Sequence, residues 1–162
     1  MATDNSLIRM RFNDYMAFID ITQDVTQKLL QSYLVVEDEI FWISLAVREG
    51  VINAIKHGNG FAPDKHVEME IEIRDHHLRI AITDEGEGFD PASVPNPLEE
   101  QNLLKPSGRG IFYMKSFMSH VNFRKAPGGG TTVVLEKDLC IQPAPADAGQ
   151  PAPTPPPEAS AG

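Results

Sequence analysis

The chain has 162 residues, enough for one domain with a core, and its hydrophobic share is 41%. A net charge of −9 and a pI near 4.9 argue against phosphate backbones and anionic lipid as partners, so nucleic-acid and membrane-surface binders are set aside. The single cysteine, Cys140, excludes an internal disulfide, and with no signal-peptide layout at the start and no apolar run long enough for a bilayer, a cytoplasmic protein is expected.

Leu7 to Phe12 reads as a first strand, and Asn13-Asp14 as a cap for the first helix. Phe18, Ile21, Val25, Leu29 and Leu30 share one face of that helix, from Tyr15 to about Tyr33. A second helix runs from about Glu37 to Lys56, with Ile43, Ala46, Val47, Val51, Ala54 and Ile55 at three- and four-residue steps, and stops at Gly58. Val67 to Ile73 alternates apolar and acidic residues, which predicts a strand with one buried face. After a tight connection at Asp75-His76-His77, Leu78 to Thr83 returns as a strand, and Asp84 continues the inward parity of Leu78, Ile80 and Ile82. The stretch from about Pro91 to Ser107 holds four prolines and reads as a functional lid. A helix from near Gly108 to Ser119 precedes a hairpin of Val121–Lys125 and Thr131–Leu135. The order β-α-α-β-β-lid-α-β-β predicts an α+β two-layer sandwich, with a mixed, mostly antiparallel sheet covered by helices on one face. The domain is expected over 1–140, and 141–162, with seven of the thirteen prolines, as a disordered tail.

Three groups of residues carry chemistry. Glu49, Asn53 and His57 recur every four residues along the second helix. They form either a polar helix edge or a site in which Asn53 gives Mg²⁺ a neutral oxygen ligand and Glu49 acts as a nearby base. Asp84-x-Gly86-x-Gly88 follows a strand. Asp84 is either a turn acid or the acceptor for the exocyclic amine of adenine; guanine presents a carbonyl there and leaves the acid unpaired. Gly86 and Gly88 let the backbone run against base and sugar. Gly108-Arg109-Gly110 opens a helix whose free amides suit phosphate. Arg109 either adds charge to that site or faces solvent. Thr131 and Thr132 are either plain strand formers or nucleotide contacts.

The run Leu45–Gly58 resembles the N box of the GHKL (Bergerat-fold) ATP-binding superfamily. Asp84-x-Gly86-x-Gly88-Phe89-Asp90-Pro91 resembles its adenine box, Gly108-Arg109-Gly110 its second glycine box, and Gly130-Thr131-Thr132 its last nucleotide-proximal element. The match covers roughly Leu7 to Lys137, and small size and N-box form resemble the anti-sigma factor serine kinases of bacterial partner switching. The resemblance implies Glu49 as general base, Asn53 as magnesium ligand, Asp84 as adenine acceptor, and Gly86, Gly88, Gly108 and Gly110 as nucleotide-proximal backbone. His57 also matches a family position, and the glycine-rich His57-Gly58-Asn59-Gly60 departs from the pattern. The implied activity is Mg-ATP-dependent phosphorylation of a STAS-type anti-sigma factor antagonist, with a sigma factor as second partner and a homodimer as the assembly. Two rival readings are an ATP-binding module without transfer and the stand-alone catalytic domain of a histidine kinase.

Overall fold

The computed structural model describes residues 5–13, 15–88 and 109–143, with the side chains of Tyr15, Met16 and Arg109 outside the description. The Asp14 cap, the lid, Gly108 and the tail beyond residue 143 therefore lie outside the described residues. Five strands and three α-helices follow the expected order: β1 Asn5–Phe12, α1 Tyr15–Ser32, α2 Glu37–Asn53, β2 Val67–Arg74, β3 His77–Asp84, α3 Arg109–Phe117, β4 His120–Lys125 and β5 Thr131–Asp138.

The strands form one sheet in the order β1-β2-β3-β5-β4. All four pairings are antiparallel, so among the described residues the sheet has none of the expected mixed character. The reason is connectivity. β2–β3 and β4–β5 are hairpins, the α1–α2 connection returns β2 against β1, and β4, which runs in the same direction as β3, is separated from it by β5.

The alternation in β2 dictates the layers. Val67, Met69, Ile71 and Ile73 are buried and meet Leu78, Ile80 and Ile82 of β3 under the helices. Ile43, Val47 and Val51 of α2 and Met114 of α3 join the same cluster. Each buried aliphatic side chain of this kind contributes about 1.5–3 kcal/mol relative to exposure. Polar residues enter the helical layer by bonding their own backbone: Thr22 Oγ1 donates to Phe18 O (2.8 Å), Thr26 Oγ1 to Thr22 O (2.7 Å) and Ser44 Oγ to Ile40 O (2.6 Å). On the open face the glutamates of β2 meet arginines: Arg9 pairs with Glu70 at 2.7 Å and Arg11 with Glu68 at 3.0 Å.

Two local features depart from the expected pattern. α2 does not run on to Lys56. It passes after Asn53 into a π-helical turn, Ala54–Gly58, closed by Asn59 N–H donating to Ala54 O at 2.8 Å. At the other end of the chain, Ile141 pairs with Val35 and Gln142 N–H donates to Leu34 O at 2.7 Å, which ties residues past 140 to the α1–α2 elbow.

The β2–β3 turn carries Asp75 and His76 in the left-handed region, φ 49° and 64°. Two-residue hairpins with this geometry favour asparagine followed by glycine, because other residues strain there. The double substitution D75N/H76G is expected to raise stability by about 1 kcal/mol, measured by chemical denaturation.

Candidate functional site

Asp84 ends β3 on the inward parity and is only 5% exposed. Its Oδ1 accepts N–H bonds from Gly86 at 2.9 Å and Thr131 at 3.1 Å; neither amide reaches Oδ2. Burial pushes the Asp84 carboxyl above the ordinary aspartate range, while those two amides and the Lys65 charge pull the other way. The packing leaves no room for side chains. A Cβ on Gly58 would overlap the Asp84 carboxylate, and one on Gly130 would overlap its backbone carbonyl. One on Gly86 would strike the Gly58 carbonyl. Three separate segments thus converge on one carboxylate by presenting bare backbone to it.

α2 supplies the facing wall. Gly50 and Asn53, with Ala54 of the π turn, line a small cavity of about 10 Å³ together with Asp84 and Thr131. Asn53 is half-buried there, so an amide and a carboxylate share one space. One turn earlier, Glu49 is half-buried, and burial raises its carboxyl above the usual range against the opposing pull of Arg48. Arg48 itself is held by Asp20 (3.1 Å) and Gln23 (3.3 Å) of α1. The first turn of α3 lies directly against Glu49: a Cβ on Gly110 would overlap the Glu49 carboxylate.

The other expected site residues separate cleanly. Gly86 and Gly88 follow Asp84, and Gly88 sits at φ 82°, next to the Gly129 carbonyl. Thr131 faces the cavity. Thr132 points to the opposite face of the sheet, where its hydroxyl bonds that of Thr83 at 2.9 Å, so its side chain is not at the site. His57 is exposed on the π turn and does not line the cavity. Gly108 and the Arg109 side chain lie outside the described residues.

Sequence reasoning missed two contributors. Gly58 is more than a helix stop; it admits the Asp84 carboxylate. Asn59, 3% exposed, donates to His66 O (2.9 Å) and accepts from Glu85 N–H (2.8 Å), so it pins the segment after α2 to the end of β3. Its signal was an amide between two glycines, the pattern of a side chain that hydrogen-bonds a turn.

The residues present suit a magnesium nucleotide. Asn53 offers a neutral oxygen rather than a sulfur or nitrogen donor. No group of three or more His, Cys, Asp or Glu positioned to hold a metal occurs among the described residues. A hard cation that takes oxygen ligands and keeps water and phosphate in its shell fits an amide oxygen such as that of Asn53.

Because burial raises Asp84 in the folded state, its ionisation opposes folding. Stability from this group is fully present below the ordinary carboxylate value, about pH 4, and is lost as pH rises through the raised value. Asp84→Asn is therefore expected to melt above the wild type at pH 7, with the difference closing near pH 3.5 to 4. Thermal melts at several pH values measure this.

Residues 18–137 match the family model described as "Histidine kinase-like ATPase domain". The chain is 36% identical over 108 residues to an anti-sigma F factor of Clostridium beijerinckii, covering 64% of this chain and 74% of that protein. It is 35% identical over 105 residues to an anti-sigma F factor of Geobacillus stearothermophilus, covering 64% and 72%. In fold it resembles the RsbU and RsbW domains of Rv1364c from Mycobacterium tuberculosis, with a TM-score of 0.56 at 17% identity. That alignment covers 82% of this chain and 32% of the other, so the chain spans about a third of that structure's length. No helix among the described residues is long and apolar enough to cross a membrane. The family match takes in most of α1 and every later described element through nearly all of β5, and the chain belongs to the histidine kinase-like ATPase domain family.

Proposed function

We propose that the protein is an ATP-dependent serine/threonine protein kinase of the anti-sigma factor kind. The observation that carries this reading is that one helix, α2, brings Asn53 to the Asp84 cavity and sets Glu49 against the opening of α3. The names of the anti-sigma F factor relatives support the regulatory setting.

In this reading Asp84 accepts the adenine amine through the oxygen that the Gly86 and Thr131 amides leave unused. Guanine is disfavoured, because its carbonyl would face a buried carboxylate, a mismatch of about 1–3 kcal/mol or more. The cavity as it stands has room for about one water. A purine therefore requires its walls, which include Met114 and Phe123, to part. Asn53 holds Mg²⁺, which when bound supplies charge neutralisation on phosphate oxygens. Gly86, Gly88 and Gly110 keep the backbone close to the nucleotide, while Gly108 and the Arg109 side chain lie outside the described residues. His57 and Thr132 have no direct contact in this scheme.

Glu49 orients the acceptor hydroxyl and takes its proton as the new P–O bond forms and ADP leaves. Burial raises its carboxyl, and a well-placed base contributes roughly 10²–10⁴-fold. The acceptor is a serine or threonine on a STAS-type antagonist, and the second partner is a sigma factor; both belong to the proposal, as does a homodimer.

Glu49→Gln is expected to lower phosphoryl transfer by roughly 10²–10⁴-fold, while Mg·ATP still raises its melting temperature. Transfer retained at the wild-type rate removes Glu49 from this role. Asp84→Asn is expected to weaken ATP binding in calorimetry by at least tenfold, about 1.4 kcal/mol, and unchanged affinity would count against the adenine contact.

A further inference from the structure

Near the start of α2 two large rings stand in solvent, Phe41 at 59% and Trp42 at 37% exposure. They belong to a continuous aromatic surface. Phe41 meets Trp42 edge-on at 4.8 Å, Trp42 stacks on Phe117 of α3 at 3.8 Å, and Tyr113 lies 6.4 Å from Phe117. Rings clustered in this way on two helices, with polar residues around them, are the composition of a protein-binding surface.

The α2 end of this surface is acidic. Glu37 and Asp38, one turn before the rings, are exposed and form no ion pair among the described residues. Glu39, by contrast, is occupied by Lys137 (3.3 Å) and by the Cys140 amide (2.9 Å). Among the described side chains of these two helices, the cations Arg48 and Lys115 are directed elsewhere. Arg48 is held by Asp20, and Lys115 lies on the opposite flank of α3 from Tyr113 and Phe117 by helical spacing. The rings and the proposed base stand at the two ends of the contact between α2 and α3. Trp42 and Glu49 are seven residues apart on one face of α2, roughly 10 Å along the axis.

We propose that this surface docks the phospho-acceptor protein through an apolar segment flanked by lysine or arginine. The inference rests on the kinase reading and adds to it how the acceptor is chosen. The aromatic rings take the apolar side chains, Glu37 and Asp38 select the flanking cations, and the axial spacing delivers a hydroxyl about 10 Å further on, at Glu49.

The test uses the full chain and two synthetic amphipathic peptides with the same leucine face, one flanked by lysines and one by glutamates. Trp42 is the only tryptophan, so its fluorescence reports docking directly. Calorimetry gives affinities for the variants. The lysine-flanked peptide is expected to bind at least tenfold more tightly than the glutamate-flanked one. Phe41→Ser, at an exposed position that leaves the core intact, is expected to weaken binding at least tenfold, and Asp38→Lys at least fivefold. Equal binding of the two peptides, or unchanged binding by Phe41→Ser, overturns the proposal. So does a wild type that sediments as a dimer while Phe41→Ser sediments as a monomer, which makes the surface a self-interface. Stabilisation by Mg·ATP without peptide binding overturns docking alone. Peptide binding by a chain that Mg·ATP does not stabilise overturns the acceptor role through failure of the kinase reading.

Discussion

A carboxylate buried among backbone atoms is the constraint on which this structure turns. Asp84 is nearly sealed from solvent, and among the described residues its two amide donors, Gly86 and Thr131, both meet one oxygen. Burying a charged group is costly unless it is fully paired, and here the pairing is partial. The glycines around it answer the same constraint. Gly58 arrives from the π turn, Gly86 from the loop after β3 and Gly130 from the loop before β5, and a methyl group on any of them would collide with the carboxylate, its own backbone or the Gly58 carbonyl beside it. A sequence selected for stability alone would place a neutral or apolar residue at such a point. A raised carboxyl held by geometry in a cavity is the mark of a site shaped for binding.

The π turn makes this convergence possible. A regular α-helix continued past Asn53 advances 100° per residue and carries Gly58 around the helix away from its present direction. The wider turn of Ala54–Gly58 changes that phase. It leaves Asn53 on the cavity and turns Gly58 onto Asp84. Asn59 then fixes the result by bonding one group from each side, His66 O and Glu85 N–H. Glu85 is in turn stabilised as an anion by the His66 amide and by Arg11.

Much of this was legible in the sequence where periodicity is strict. The alternation in β2 and the parity of β3 were enough to place Asp84 inward, because a strand has a period of two and only one face was apolar. β5 resists the same reading. Thr131 through Leu135 are all buried, so no alternation marks which threonine faces the site, and only the register with β3 separates Thr131 from Thr132. The Asp75-His76 turn lacks the asparagine and glycine that announce its geometry. The π turn was hidden for a different reason: it differs from an α-helical turn by a single residue, which no hydrophobic pattern of five residues resolves. The contact of Gly110 with Glu49 joins residues sixty-one positions apart and exists only in the folded packing.

α3 binds these parts together. Its first turn rests on Glu49 by virtue of a missing side chain, and its last residue stacks on Trp42. Both partners lie on α2, so the nine residues of α3 are fixed at each end to the same helix. The two contacts differ in kind. The first is a close approach that tolerates no added atom, and the second is a ring stack that can slide within its plane. Between them, Met114 is fully buried in the core and lines the Asp84 cavity. The candidate chemistry and the aromatic surface thus lie at the two ends of one helix pair, α2 and α3.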